Sequence, residues 1–411
     1  MIRTVFVFLH RWIGLLMTVF LVIVGLTGSL IAFNTELEHV FAPQLFAKPA
    51  PGAAPLDLGT LAERAEGLVP HAHVGAVSMD EPDRASMRFM ADTNPETGKR
   101  YDLGFTQFYV DPFTGAELGR RRRGDLSEGL INVMPFVYLL HVALAWKPMG
   151  TLILGVVAVF WTLDCFNGFY LTLPVSLSGF WRKWKTAWLI KRGAGVYRLN
   201  FDLHRASGLW LWPILFVFAW SSVMFNMPIV YGTVMPKLFG SPPPNEGMRA
   251  MMSRPVKPQP ALGWRDAQAV GDRLFAERAA KDGFSLGRPL VLSYFPNGLY
   301  LYSVRTSRDA AERTDQGGAM AIFDADTGAL LSFSLPTGEH ASSTVTAWLK
   351  ALHMALVFGL PYRIFVCVLG LVITMLSVTG VYIWWKKSKA RRFHKARGAS
   401  TAAALDAVTA E

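Results

Sequence analysis

The sequence predicts an integral membrane protein, an α-helical bundle of four spanning helices with two mixed α+β domains outside the bilayer. Two observations carry this prediction. Of the 411 residues, 52% are hydrophobic and 17% are charged, whereas ordinary soluble domains carry about 25% charged residues. The apolar residues are concentrated in four long runs, and the same short motifs recur in the same order in both halves of the chain.

Four runs are long enough to cross a bilayer, for which a helix needs about 20 mostly apolar residues. They span residues 12–33, 149–175, 206–236 and 364–385. Only the second run contains a charged residue, Asp164. The first run has a basic start, as a cleaved signal peptide does, but its 22 residues exceed the roughly 7–15 residues of a signal-peptide core. We therefore expect a retained helix.

Positive charge sets the predicted orientation. Residues 174–203 hold six basic residues against one acid, and the segment after Trp385 reads KKSKARRFHKAR. Short loops rich in Lys and Arg stay in the cytoplasm, and Arg3 and Arg11 place the N-terminus there as well. We expect a multi-pass protein of a bacterial inner membrane with both termini in the cytoplasm. The net charge of +11 then indicates a lipid bilayer as the partner, and no nucleic acid.

The predicted domain organisation alternates membrane segments with outer and inner segments. In chain order we expect a first transmembrane helix (1–34), a first outer domain (35–128), a His-bearing lead-in with the second transmembrane helix (129–175), a basic cytoplasmic loop (176–203), a third transmembrane helix (204–236), a second outer domain (237–350), a His-bearing lead-in with the fourth transmembrane helix (351–387) and a basic cytoplasmic tail (388–411). In the outer domains, apolar spacing predicts helices at 58–68 and 264–281. Asp-x-x-Thr-Gly turns between β-rich runs predict two hairpins.

Four motif pairs indicate an internal repeat. Each motif occurs once in each half, in the same order: LHRWIG and LHRASG, DPFTGAEL and DADTGALL, LHVAL and LHMAL, and GFY and GVY. Both halves begin on the predicted inner side, so the repeat is parallel, as in some transporter folds.

Four of the nine His residues occupy matching positions in the repeat, His10 with His204 and His141 with His353. The predicted topology places the first pair at the inner ends of spans and the second pair near the outer face. Ionisable residues at membrane depth are costly and usually functional. Two facing imidazoles suit a haem iron that carries electrons, because they leave no open coordination site. The sequence therefore favours two b-type haems per chain, one in each leaflet.

Glycine and arginine residues beside the inner pair fit the same hypothesis. Gly14 and Gly208 lie four residues after the inner His residues and would let a flat macrocycle approach the backbone. Arg11 and Arg205 directly follow those His residues and are candidate partners of the haem propionates. Both Arg residues are equally well explained as anchors at the inner face of the membrane. No residue is assigned a catalytic role.

Other chemistries were weighed against haem. Structural zinc sites use four nitrogen or sulfur ligands, and two His residues per leaflet are too few. Copper remains an alternative because Met354 adjoins His353.

For Asp164 we consider a hydrogen bond near the inner haem, a proton relay, an ion pair with Arg, or snorkelling to the interface. Cys165 and Cys367 are expected as apolar core residues. The His residues without a repeat partner are expected not to bind a ligand: His39, His71, His73, His340 and His394.

The motifs resemble those of the PepSY-associated membrane-helix family from Leu9 to about Trp385. The resemblance rests on LHRWIGLLMTVFLVIVGLTGSLIAFN in the first span, D-x-x-TG-x-x-L in an outer domain and LH before the later spans. The family includes iron-regulated inner-membrane proteins, and it implies PepSY-like periplasmic domains. Some members are similar to ferric-siderophore reductases, whose span-end His residues hold haem. Here such positions are occupied by His10, His141, His204 and His353. HRASGLWLWP departs from the pattern because it lacks the GLTG segment.

The resemblance and the His pairs favour an oxidoreductase. It would take electrons from a quinol or a cytoplasmic donor and reduce a periplasmic ferric siderophore or similar iron complex, releasing Fe(II). No G-x-G-x-x-G motif for nicotinamide or flavin binding is present. The alternative is a non-enzymatic PepSY-type membrane protein that binds or regulates a peptide, a peptidase or a siderophore complex. The parallel repeat also leaves a transporter open.

Overall fold

The structure is a computed structural model that describes residues 2–241, 246–257, 259–312 and 318–409. For Asp80 and residues 392–409 it describes the backbone alone. The chain divides into two compact units. The helical unit comprises Met1–Leu30, Leu140–Val230 and Ile364–Glu411, and the sheet unit comprises Ile31–Leu139 and Tyr231–Arg363.

The helices and strands follow one another in two similar series. The α-helices are α1 (Ile2–Ile31), α2 (Asn34–Phe41), α3 (Leu58–Ala65), α4 (Val133–Ala143), α5 (Met149–Thr172), α6 (Phe180–Lys185), α7 (Val196–Trp210), α8 (Trp212–Asn226), α9 (Pro228–Phe239), α10 (Glu246–Ser253), α11 (Trp264–Asp282), α12 (Ala341–His353) and α13 (Gly359–Thr409). The strands are β1 (Ala72–Glu81), β2 (Arg84–Ala91), β3 (Gln107–Val110), β4 (Glu117–Arg121), β5 (Leu286–Phe295), β6 (Leu299–Thr306), β7 (Ala319–Asp324) and β8 (Leu330–Ser334).

Three helices of the described chain are long and apolar enough to cross a membrane: Ile2–Ile31, Met149–Thr172 and Gly359–Arg391. A fourth candidate is the pair α7 and α8, which pass the same test together but are bent by 72°. Proline in the first turn of α8 explains the break, because it lacks an N–H and its ring clashes with the carbonyl four residues earlier. Residues 204–236, expected as one helix, instead form parts of α7, α8 and α9.

Both His-bearing lead-ins are helical and end at a sharp break. After α4, Leu144 and Ala145 have φ angles of 51° and 53°. After α12, Ala355 and Phe358 have φ angles of 53° and 57°. Residues other than glycine rarely adopt positive φ. Because this rare conformation follows both α4 and α12, it is a feature that the two halves of the repeat share.

Small residues bring α1 and α13 together in the helical unit. A Cβ at Gly25 would lie 2.7 Å from the carbonyl oxygen of Gly370. Ser29 Oγ donates to the Cys367 carbonyl at 2.7 Å. Close approach at small residues and hydrogen bonds between helices are typical of packing in an apolar solvent. Cys367 and the buried Cys165 are both free thiols.

The sheet unit is built on one antiparallel sheet with the strand order β4-β3-β2-β1-β5-β6-β7-β8. The first four strands lie within residues 35–128 and the last four within residues 237–350. The two series join where β1 pairs with β5, with Val77 opposite Leu292. Helices α3 and α11 pack on this sheet, and its core includes the fully buried Leu61, Phe275 and Tyr302. The predicted hairpins are confirmed as β3–β4 and β7–β8.

Candidate functional site

His10 and His204 lie next to each other in the helical unit. His10 is on α1 and His204 is on α7. Their ring centroids are 6.0 Å apart, and the ring planes are inclined by 62°. Both rings line a cavity of about 450 Å³. The structure therefore brings together the two residues that the repeat predicted as an inner pair.

Asp164 holds the ring of His10. Both carboxylate oxygens of Asp164, on α5, lie 3.0 Å from Nδ1 of His10. Asp164 is 8% exposed, so its carboxylate points into the protein and does not reach for the interface. A Cβ at Gly168 would lie 3.7 Å from Cε1 of His10, so the ring packs against the backbone of α5 at a position without a side chain. With Nδ1 bound to the carboxylate, Nε2 is left for a ligand.

His204 is held at the matching place of the second half, but by uncharged groups. Its Nδ1 lies 3.0 Å from the Leu376 carbonyl oxygen and 3.2 Å from Thr379 Oγ1. A carbonyl oxygen only accepts, so Nδ1 carries the proton and Nε2 has the free lone pair. A Cβ at Gly380 would lie 3.3 Å from Cε1 of His204. The glycines of the GFY and GVY motifs thus make room for the two rings.

The cavity has an apolar wall with positive charge around it. A Cβ at Gly14 or Gly208 would meet nothing within 4 Å, so both glycines of the repeat motif border open space. Among the described residues that line the cavity, Asp164 is the acid. The basic lining residues are Arg3, Arg11, Arg205, Lys387 and Arg391. The excess of cations favours an anionic group in the cavity.

Arg11 and Arg205 line this cavity in different ways. Arg205 donates to Asp202 and to the Thr186 carbonyl, both at 2.8 Å. Asp202 is fully buried and also accepts from Arg198 at 2.9 Å. Nε of Arg205 is buried and has no hydrogen-bond partner in the described part of the chain. The guanidinium is therefore fixed and keeps one donor for another group, whereas Arg11 has no acidic partner among the described residues.

His141 resembles His204 in how its ring is held. Its Nδ1 lies 3.1 Å from Thr27 Oγ1. The Thr27 hydroxyl donates to the Ile23 carbonyl at 2.7 Å, so its oxygen accepts the proton of Nδ1. A Cβ at Gly28 would lie 3.1 Å from Cε1 of His141. Thr27 therefore helps to set the orientation of the His141 ring.

His353 is the half-buried last residue of α12. It belongs to the sheet unit, whereas His141 belongs to the helical unit. Their predicted pairing therefore stays a prediction.

Of the remaining His residues, four lie in the sheet unit and have other surroundings. His39 stacks on Phe46 with ring centroids 3.6 Å apart, and His71 stacks on Tyr101 at 4.2 Å. His73 lies 3.2 Å from Asp92, His340 precedes the first turn of α12, and the side chain of His394 lies outside the described side chains. Within the described residues no group of three or more His, Cys, Asp or Glu is placed to hold a metal ion. A zinc centre of the usual composition has no ligand set there.

Residues 7–387 match the family model described as PepSY-associated TM region. The chain belongs to the PepSY-associated TM family. Membership makes it a membrane protein, in agreement with the candidate spans. The match covers all four paired His residues and the residues that hold their rings. No curated protein matches the chain.

Sequence reasoning missed several residues of this PepSY-associated TM protein. Leu376 contributes through its main chain, which no residue type signals. Thr27 and Thr379 are ordinary hydroxyl residues of apolar helices, where most bond to their own helix. Asp164 carried a signal as the acid within a span, and in the structure its carboxylate binds His10.

Proposed function

We propose that this protein transfers electrons across the membrane and reduces a ferric, siderophore-type complex, releasing Fe(II). Two b-type haems would be held per chain, one by His10 and His204 and the other by His141 and His353. We further propose an inner-membrane protein with four spans, in which α7 and α8 together form one broken span. Both termini would lie in the cytoplasm, and the sheet unit would correspond to PepSY-like domains in the periplasm.

The separation of His10 and His204 carries the proposal. A bond between a metal and an imidazole nitrogen is about 2 Å long, and the ring centre lies about 1 Å further on. Two rings that share one metal ion therefore have centroids about 6 Å apart, and the observed value is 6.0 Å. Both Nδ1 atoms are bound to acceptors, as is usual for metal-ligating His residues.

The cavity beside this pair also fits a haem. A bis-imidazole haem supplies one-electron transfer and leaves no coordination position for oxygen. The cavity volume of about 450 Å³ lies within the roughly 300–1,000 Å³ typical of cofactor sites. Arg11 and the orphaned Nε of Arg205 would bind propionates, and Gly14 and Gly208 leave the backbone accessible.

The proposed substrate follows from the chemistry of iron. Siderophores hold Fe(III) through hard oxygen ligands, which fit Fe(II) less well. One electron therefore weakens the complex without breaking any bond of the organic ligand. A quinol would supply two electrons and release two protons as it becomes a quinone, so each quinol would reduce two ferric complexes. A one-electron donor in the cytoplasm would serve equally.

The proposal is tested on the purified full-length chain and on the same chain in lipid vesicles. We expect a reduced-minus-oxidised haem spectrum with two haems per chain. Vesicles loaded with dithionite should then reduce an external ferric hydroxamate complex, as followed with an Fe(II)-specific dye. His39→Ala, which changes a histidine outside the four matched positions, should keep both haems and the reductase activity. A colourless, folded protein would contradict the proposal and favour a binding module.

Coloured protein that reduces no external iron would contradict the reductase assignment while leaving the haem assignment intact. Uptake of the intact ferric complex into the vesicles, in place of its reduction, would favour a transporter.

A further inference from the structure

Asp164 breaks the symmetry of the repeat. The offset along the chain that relates GFY to GVY also relates Asp164 to Leu376. His204 is bound by the main-chain carbonyl of Leu376, whereas His10 is bound by the carboxylate of Asp164, each at 3.0 Å. Two similarly placed imidazoles therefore have a neutral partner in one half and an ionic partner in the other.

The Asp164 carboxylate has His10 as its ion-pair partner in the described part of the chain. The nearest side-chain amide, that of Asn167, lies farther away at 3.5 Å. A buried charge is costly unless it is paired, and charges within spanning segments are usually functional. Because the carboxylate binds Nδ1 of His10, we infer that it acts on the group that Nε2 of the same ring would bind.

We propose that Asp164 is a positioning residue that orients His10 and lowers the reduction potential of the inner haem. This inference rests on the proposed function. A carboxylate bound to the outer nitrogen of a ligating His fixes the ring and raises the basicity of the ligating nitrogen. A more basic ligand stabilises ferric iron relative to ferrous iron. Hydrogen bonding near the ligand is one of the ways in which a protein tunes haem potential.

The same comparison gives a direction to electron flow. His141 is held by the neutral hydroxyl of Thr27, whereas the carboxylate of Asp164 acts on His10 of the inner site. A lower potential at the inner site makes transfer from the inner to the outer haem favourable. Asp164 would therefore bias the chain toward delivering electrons outward.

The test is a potentiometric titration of purified Asp164→Asn and unmodified protein. Asn keeps the size of the side chain and a hydrogen-bond acceptor but removes the charge. We expect two haems in both proteins and at least a tenfold change in the ferrous-to-ferric ratio of one haem. That change corresponds to an upward shift of about 59 mV for a one-electron couple. Thr379→Val, which removes a neutral partner from His204, should give a smaller shift.

Each other outcome decides the question. An unchanged or lower potential in Asp164→Asn with both haems retained overturns the inference. If Asp164→Asn loses one haem, retention in Asp164→Glu supports a requirement for the carboxylate. Loss in both variants from protein that stays folded indicates a packing role and overturns the inference. An absence of haem from the unmodified protein is a separate result, which overturns the proposed function and the inference with it.

Discussion

Gly14 and Gly208 border open space in the helical unit, since a Cβ at either would meet nothing within 4 Å. The protein by itself therefore tolerates a larger side chain there, and leucine in a helix is favoured over glycine by up to about 1 kcal/mol. If a macrocycle occupies the cavity, leucine would fill its place. We expect Gly208→Leu to remain folded and to lose most haem from one site, as measured by haem content per chain.

Gly232 on α9 is the matched control for this substitution, because its Cβ would also meet nothing within 4 Å. Gly232→Leu should keep both haems. Full haem content in Gly14→Leu and Gly208→Leu would show that the space next to the His pair is not used by a cofactor.

Substitution of Thr27 tests whether His141 is a haem ligand, because Thr27 Oγ1 accepts the Nδ1 proton of His141 at 3.1 Å. Removal of a group that holds a metal-ligating residue typically weakens binding about 10–100-fold. We expect Thr27→Val to weaken one of two haem sites by that factor in a titration of haem-free protein. Thr162→Val is the control, since Thr162 is a buried threonine of α5 whose hydroxyl donates to the Ala158 carbonyl of its own helix. Equal affinities in the two variants would argue against His141 as a ligand.

Among the elements, α2, β2 and β4 are joined by a buried ion cluster. Glu38 accepts from Arg84 at 2.8 Å and from Arg121 at 2.7 Å. Burial disfavours the charged carboxylate, but the charges and hydrogen bonds of Arg84 and Arg121 outweigh it and lower the pKa of Glu38. A lowered pKa means that the cluster stabilises the folded state above the ordinary carboxyl pKa of about 4.3. This stability is lost as the pH falls through the lower folded-state value.

We expect Glu38→Gln to destabilise the sheet unit by about 3–5 kcal/mol at neutral pH, because two buried cations lose their partner. The difference from the unmodified protein should narrow below about pH 4.3, as seen in unfolding followed by circular dichroism. Glu117→Gln, which removes an exposed partner of Arg120, should cost no more than about 1 kcal/mol. A difference between Glu38→Gln and the unmodified protein that does not depend on pH would contradict the linkage.

The sequence predicts elements well where local signals exist. Long apolar runs located the candidate membrane helices, and the Asp-x-x-Thr-Gly turns located two hairpins. The bend between α7 and α8 was not predicted. Its cause, the proline in HRASGLWLWP, is visible in the sequence, but a run of apolar residues gives the same hydropathy whether the helix is straight or bent.

At the scale of the whole molecule, contacts distant in sequence were not predictable. The pairing of β1 with β5 joins strands from both halves of the chain in one sheet. The alternation of apolar and polar residues along a strand does not specify which strand lies next to it. The contact of His10 with Asp164 joins residues 154 positions apart. The repeat compensates in part, because matching His10 with His204 in sequence indicated two residues that lie together in the structure.

The central claim is that His10 and His204 share one haem, separate from a haem held by His141 and His353. Haem content per chain in single and double alanine variants tests this most directly. We predict one haem lost in His10→Ala, one in His204→Ala, and no further loss when these two changes are combined. The combination of His10→Ala with His141→Ala should remove both haems. Loss of both haems from the His10 and His204 double variant, or of neither, would contradict the claim.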